Sequence, residues 1–207
     1  IEISENPYTL QGLNYATKYE CRVTALCGSD TSMVSSIATF KTPCAELGLP
    51  FEENFNATFE SNTGYGTSPL CWFNIHGGSS YSSTWIRSTY YTSEGAGSLS
   101  ASSGSTSYTY DEWMISPVIE LNGNQRITFK ARASSEPATV SIYALDENTN
   151  PFTAAGDTTN FELVENVTIT GTTFDKYEVE LPTELTSFRF AFVVNQVTNG
   201  FYIDEVK

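Results

Sequence analysis

An all-β protein is predicted, and three observations predict it. Short segments rich in Val, Ile, Thr, Tyr and Phe recur along the chain, each bounded by Gly, Pro, Asn, Asp or Ser. No stretch carries the sustained 3.6-residue apolar period of a long helix. Charged residues make up only 16% of the composition while aromatics reach 14%, which is the balance of a chain that buries rings rather than one that stays unfolded. Strand after strand with no helix between them means a β-sandwich or a barrel.

From the N-terminus, alternation places strands at Tyr19–Ala25 and Ile37–Phe40. The stretch Thr42-Pro43-Cys44-Ala45-Glu46-Leu47-Gly48-Leu49-Pro50 then interrupts the pattern with two prolines and reads as a linker or corner. Further strands follow at Gln125–Ala131, Thr139–Ala144, Phe161–Thr170, Lys176–Leu181 and Phe188–Val194, and Phe201 to Lys207 reads as one more, still in progress. Residues 1–43 are too few for an independent sandwich, which takes about 100 residues. They are expected to be the closing strands of a truncated module, followed by a linker at 44–49 and one complete domain at 50–207. Ile1 is not a natural start, so the chain reads as a piece of something longer.

The 24 acidic side chains exceed the 10 basic ones by 14. That balance excludes phosphate backbones and anionic membrane surfaces as partners, because both are bound through Lys and Arg clusters. No apolar run is long enough to insert into a membrane. The cysteines, Cys21, Cys27, Cys44 and Cys71, form no C-x-x-C pair and lie far from His76, which argues against structural zinc. Four cysteines allow three full pairings. Cys27 ends one strand and Cys44 follows the next, so a Cys27–Cys44 disulfide is expected, with Cys21 buried and unpaired. Catalysis is disfavoured. Any nucleophile would have to use the lone His76, no G-x-S-x-G elbow is present, and carboxylates are too numerous for a chance pair to mean anything.

Two resemblances add to this reading. Leu13-Asn14-Tyr15-Ala16-Thr17-Lys18-Tyr19 resembles the approach to the penultimate strand of a fibronectin type III domain, with Tyr19 as the corner tyrosine whose hydroxyl meets the backbone upstream. The larger region resembles the MAM-like jelly rolls, including the cleaved-adhesin modules of Bacteroidetes surface proteins. The matching residues are Leu49-Pro50-Phe51-Glu52-Glu53-Asn54-Phe55-Asn56, Leu70-Cys71-Trp72, Asp111-Glu112-Trp113-Met114-Ile115-Ser116-Pro117-Val118-Ile119-Glu120-Leu121 and Gly200-Phe201-Tyr202-Ile203-Asp204-Glu205-Val206. The implied fold is an all-β jelly-roll sandwich preceded by a partial fibronectin type III-like β-segment.

In such a jelly roll the first and last strands meet, and related domains often hold a structural ion there. Calcium, which takes six to eight oxygens, is therefore expected near the joined ends, with ligands drawn from Glu53, Asn56, Asp111, Asp204 and Glu205. The stretch from Gly77 to Trp113 interleaves Tyr81, Trp85, Tyr90, Tyr91, Tyr108 and Tyr110 with hydroxyl residues. Aromatic faces against sugar rings, with hydroxyls alongside, make a glycan surface, and the same mixture makes adaptable protein surfaces. Trp85, Tyr90, Tyr91 and Tyr108 are the candidate ligand-binding residues, whereas Trp72 and Trp113 belong with apolar strands. The function expected is a non-catalytic adhesion or binding module at the cell surface or outside the cell. Its partners would be a glycan or an extracellular protein, together with neighbouring domains of the same polypeptide. A structural spacer in a larger secreted enzyme or protease is the alternative.

Overall fold

The structure, a computed structural model, describes residues 1–61, 66–79, 85–103, 105–123, 125–153, 157–196 and 198–207. The chain divides into two compact units, Ile1–Ala45 and Glu46–Lys207.

The smaller unit has four short strands, β1 (Lys18–Cys21), β2 (Leu26–Cys27), β3 (Asp30–Thr31) and β4 (Ala38–Lys41). β1 pairs antiparallel with β4, and β2 with β3. Tyr19 stands opposite Phe40 in the β1–β4 ladder and their rings stack at 5.7 Å. The Tyr19 hydroxyl accepts the Asn14 amide at 2.9 Å, tying the strand to the backbone five residues upstream. Cys27 is a free thiol, as is the half-buried Cys21, whereas Cys44 and Cys71 are disulfide-bonded. The expected Cys27–Cys44 bridge is therefore corrected, and the register explains why. Cys21 pairs with Ala38 and Lys18 with Lys41. Cys27 consequently lies beyond one end of the ribbon and Cys44 beyond the other, where Ala16 donates to the Pro43 carbonyl.

The larger unit begins earlier than the 44–49 linker implies. Leu47 forms a parallel bridge to Ile119 and exchanges hydrogen bonds with Val118 and Glu120, so the second half of that segment is part of the sandwich. Its strands are β5 (Glu60–Ser61), β6 (Thr67–Ser68), β7 (Phe73–His76), β8 (Ile86–Ser88), β9 (Ser98–Ser103), β10 (Glu112–Ile115), β11 (Ile119–Glu120), β12 (Arg126–Ala133), β13 (Ala138–Asp146), β14 (Glu162–Ile169), β15 (Asp175–Glu180), β16 (Ser187–Val194) and β17 (Thr198–Asp204). They form two antiparallel sheets, one ordered β14-β13-β16-β10-β7 with β11 beside β16, the other β15-β12-β17-β9-β8, while β5 and β6 make a separate ribbon. This is the expected all-β sandwich.

Alternation places the core. On β12, Ile127, Phe129, Ala131 and Ala133 point inward; on β17, Phe201 and Ile203; on β16, Phe188, Phe190, Phe192 and Val194. Trp72 packs edge-on to Phe190 at 5.5 Å and Phe129 edge-on to Phe192 at 5.4 Å, which knits the two sheets together. β16 is apolar on both faces because Ala191 and Val193 join Trp113, Ile115, Leu145 and Phe161 in a second cluster on the outer side of that sheet. Over this cluster the Arg189 guanidinium lies against Phe73 and Phe152. Strands β7, β8 and β9 lie where no alternation signals them.

Candidate functional site

The opening and closing segments of the larger unit meet as an antiparallel bridge in which Glu53 and Val206 donate to each other's carbonyls at 2.9 Å. Phe55 and Ile203 are buried, as their alternation requires, while Asp204 is also fully buried rather than facing solvent. Two non-glycine residues flank this junction in left-handed conformation, Phe55 at φ 53° and Glu205 at φ 48°, a backbone cost that persists only where its surroundings fix it.

Four of the five expected metal ligands converge here, and hydrogen bonding sorts them. Asp204 Oδ2 accepts the Ser93 and Glu94 amides at 2.7 and 3.1 Å, and its Oδ1 accepts Glu205 N. Glu53 Oε1 accepts Phe55 N at 2.6 Å, and the Trp72 indole donates to the same carboxylate. Asn56 Oδ1 is taken by the amides of Ala96 and Gly97, and Glu205 Oε1 by Lys130 Nζ and the Ser93 hydroxyl. Asp111 does not belong to the group. It sits exposed ahead of β10 in the other sheet, where it accepts Trp113 Nε1 at 2.5 Å. Among the described residues no three His, Cys, Asp or Glu side chains form a ready metal cluster.

Burial raises the Glu53 and Asp204 carboxyls above their ordinary values. Hydrogen bonds partly offset this, and repulsion from Asp204 on Glu53, and from Glu205 on Asp204, adds to it. Glu205 is held lower, chiefly by Lys130 and then by Ser93. Two desolvated, mutually repelling carboxylates on the first and last segments would be relieved by a hard cation, which would have to displace backbone amides from both Asp204 oxygens and from Glu53 Oε1. Glu53 and Asp204 are the two that would hold it.

The loop between β8 and β9 connects this junction to a second constellation. Its Ser93 to Gly97 portion is fixed by Asp204 and Asn56, and Arg87 clamps the same region through the carbonyls of Phe55, Asn56 and Ala96. Tyr90 and Tyr91 stand at its start. Tyr90 is 86% exposed, and the two rings are 6.2 Å apart. Tyr91 meets Tyr202 edge-on at 5.0 Å and carries the Arg132 guanidinium 3.7 Å above its centroid. Register aligns Arg132, Tyr202, Ser100 and Ile86 in one row across the outer face of the five-stranded sheet.

The candidate aromatics thus separate. Tyr90 and Tyr91 come together, but Trp85 is a correction. At 1% exposure it is core, packed edge-on to Phe201 with its Nε1 donating to the Glu112 carbonyl. It precedes β8 and turns inward where Ile86 turns out. Tyr108 is exposed on the stretch leading to β10, outside the Tyr90–Tyr91–Tyr202 group. Tyr110 is half-buried with its hydroxyl on Ser105, and Tyr81 lies outside the described residues. Arg132 and Tyr202 were missed, although alternation signals both: Ala131 and Ala133 inward put Arg132 outward, and Phe201 and Ile203 do the same for Tyr202. His76, the lone imidazole, is a strand residue with a largely buried ring, Nδ1 2.5 Å from Glu112 Oε1.

No protein-family model matches the sequence, and no curated protein does either. Solved structures do match. The K1 cleaved adhesin domain of Lys-gingipain from Porphyromonas gingivalis W83 superposes with a TM-score of 0.55 at 20% identity, covering 75% of this chain and 95% of that one. The K2 domain of the same protein gives 0.55 at 15% identity, over 75% and 96% of the two chains. The K3 domain gives 0.54 at 17%, over 76% and 96%. At these identities the likeness is one of fold, and the jelly roll is the fold of a cleaved adhesin domain.

Proposed function

We propose that this chain is a non-catalytic binding module of an exported bacterial surface protein, taking a glycan or an extracellular protein on the outer face of its five-stranded sheet. One observation carries the reading. Tyr90 presents its ring to solvent beside Tyr91, and Tyr91 is itself pinned by Arg132 and Tyr202. Exposed rings held on a rigid sheet are the anchors of binding surfaces. A spacer gains nothing from such a patch, so the reading as a spacer within a larger secreted enzyme is less favoured. The adhesin fold and an extracellular or cell-surface location accord with it. No helix among the described residues is long and apolar enough to cross a membrane.

Binding by the folded protein on glycan and matrix-protein arrays, lost in Tyr90→Ala at unchanged melting temperature, is the expected result. A silent array at high protein concentration overturns the reading.

The smaller unit reads as the closing strands of a fibronectin type III module, supported by the Tyr19 hydroxyl on the Asn14 amide, and makes the neighbouring domain of the same polypeptide a partner. Calcium at the joined ends is part of the reading, held by Glu53 and Asp204 and supplying attraction between the first and last segments. Calcium is expected to raise the melting temperature of the chelated protein. Asp204→Asn should abolish that response and Asp111→Asn should leave it intact. Equal responses in both variants would remove the site from the joined ends.

A further inference from the structure

Four of the chain's few cations share the outer face of the five-stranded sheet: Arg126, Lys130 and Arg132 on β12 and Lys176 on β15. Three are spoken for. Arg126 and Lys176 both pair with Glu178, and Lys130 with Glu205 at 2.7 Å. Arg132 differs. Its Nε donates to the Ala133 carbonyl at 3.3 Å, its Cζ lies 3.7 Å above Tyr91, and it has no carboxylate partner among the described residues. With Nε on a carbonyl and the plane stacked on a ring, the two terminal nitrogens are not used by either contact, and together they form the fork that fits a carboxylate. Because its orientation is already fixed, little side-chain freedom is lost on binding.

We propose that the ligand is a glycan carrying isolated carboxylates, such as uronic acid residues, with a sugar ring on Tyr90 and a carboxylate on Arg132. The proposal rests on the binding-module reading above and deepens it. Three observations besides Arg132 support it. Tyr90 supplies a flat apolar face exposed to solvent. Ile86, 55% exposed, ends the cross-strand row that starts at Arg132 and gives the same sheet face a second apolar surface, with Tyr202 half-buried and Ser100 buried between them. A ligand of several sugar rings can reach both ends of such a row. The third observation is charge. The chain's net charge is −14, so one unpaired cation suits a sparsely charged polymer, whereas a densely sulfated chain would be repelled by the surface around it. A protein segment is disfavoured because an anchoring side chain seeks an apolar pocket, and the hollow found among the described residues is not lined by Arg132, Tyr202, Ser100 or Ile86. That hollow, of ≈ 260 Å³, is lined instead by Leu47, Pro50, Phe51, Leu70, Trp72 and neighbouring residues.

The test is calorimetric titration of the full chain with four probes: a glucuronate-containing tetrasaccharide, its methyl ester, a heparin tetrasaccharide and a short oligoglutamate peptide. The glucuronate probe should bind, and esterification should weaken it about tenfold or more, the effect of losing one charged bidentate pair. Arg132→Gln should weaken the acid to the level of the ester and leave the ester unchanged. Tyr90→Ala should weaken both. Arg132→Lys, which keeps the charge without the fork, should fall between. Equal binding of acid and ester by the unmodified protein overturns the carboxylate assignment while leaving glycan binding in place. Preferential binding of heparin overturns the sparse-charge argument, and preferential binding of oligoglutamate overturns the glycan. Absence of binding to any probe or array glycan overturns this inference, and only if the matrix-protein array is silent as well does the binding-module reading fall with it.

Discussion

Glu53 and Asp204 have a pH signature opposite in sign to that of most surface carboxylates. Burial raises both above their ordinary 4.5 and 3.8, so through the window above those values the folded state holds more protons than the unfolded chain. Their contribution to stability is therefore complete below the ordinary values and is lost as pH rises through the elevated ones. Glu205 runs the other way. Lys130 and Ser93 hold it below 4.5, so its contribution is present above that value and lost as pH falls through the lowered one. Chelated protein is expected to gain thermal stability on acidification from neutrality toward 4.5, and Glu53→Gln should remove much of the gain. A melting temperature that only falls on acidification would contradict this. At this scale the sequence was partly legible. Tyr90 and Tyr91 are among the candidate ligand-binding aromatics and are exposed, and Arg132 and Tyr202 could have been found by continuing the inward–outward count. Trp85 could not. Its neighbours on one side are Ser and Thr, and only the fold shows that it faces Phe201.

Strand β9 shows why elements differ in legibility. Strands β12, β13, β16 and β17 bury large side chains on alternate positions, so their sequences advertise them. β9 reads Ser-Leu-Ser-Ala-Ser-Ser and is made a strand by the ladders of β17 and β8 on either side, not by its own propensity. Its small side chains leave room for the loop before it to lie down on the joined ends. Gly97 is the tightest point of that loop. A Cβ there would come 2.2 Å from the Phe55 carbonyl oxygen and 2.7 Å from the Arg87 guanidinium, and the backbone oxygen has no freedom to yield. Gly97→Ala is expected to cost about 1–3 kcal/mol in denaturant unfolding, the usual penalty of forcing extra volume into a packed site. An unchanged midpoint would mean that the loop is not held as described.

For the molecule as a whole, the two units draw on different sources of order. The larger unit closes a continuous core between two sheets, whereas the smaller is made of two-stranded ribbons, nearly all of whose residues are exposed or half-exposed. That contrast was legible from the lengths on either side of the proline-rich segment, but the cysteine pairing was not, because it depends on which end of a ribbon each residue leaves. Thiol titration of denatured, unreduced protein should find two free thiols, and alkylation before denaturation should label Cys27 ahead of the half-buried Cys21. Four free thiols, or modification of Cys44, would contradict this. The Glu53–Val206 bridge also has a mechanical meaning. Glu52 and Lys207, one residue further out on either side, are joined by an ion pair at 3.0 Å, so the two ends of the sandwich leave it side by side and in opposite directions of chain. Tension applied across the larger unit would load this junction together with the hydrogen bonds that hold Lys207 to Thr128 and Leu47 to Val118 and Glu120, so β11 and β12 share the load from the start. Because the first and last segments meet at one edge, force would enter the sandwich at that edge instead of along its length, and a cation joining Glu53 to Asp204 would raise the force the edge resists.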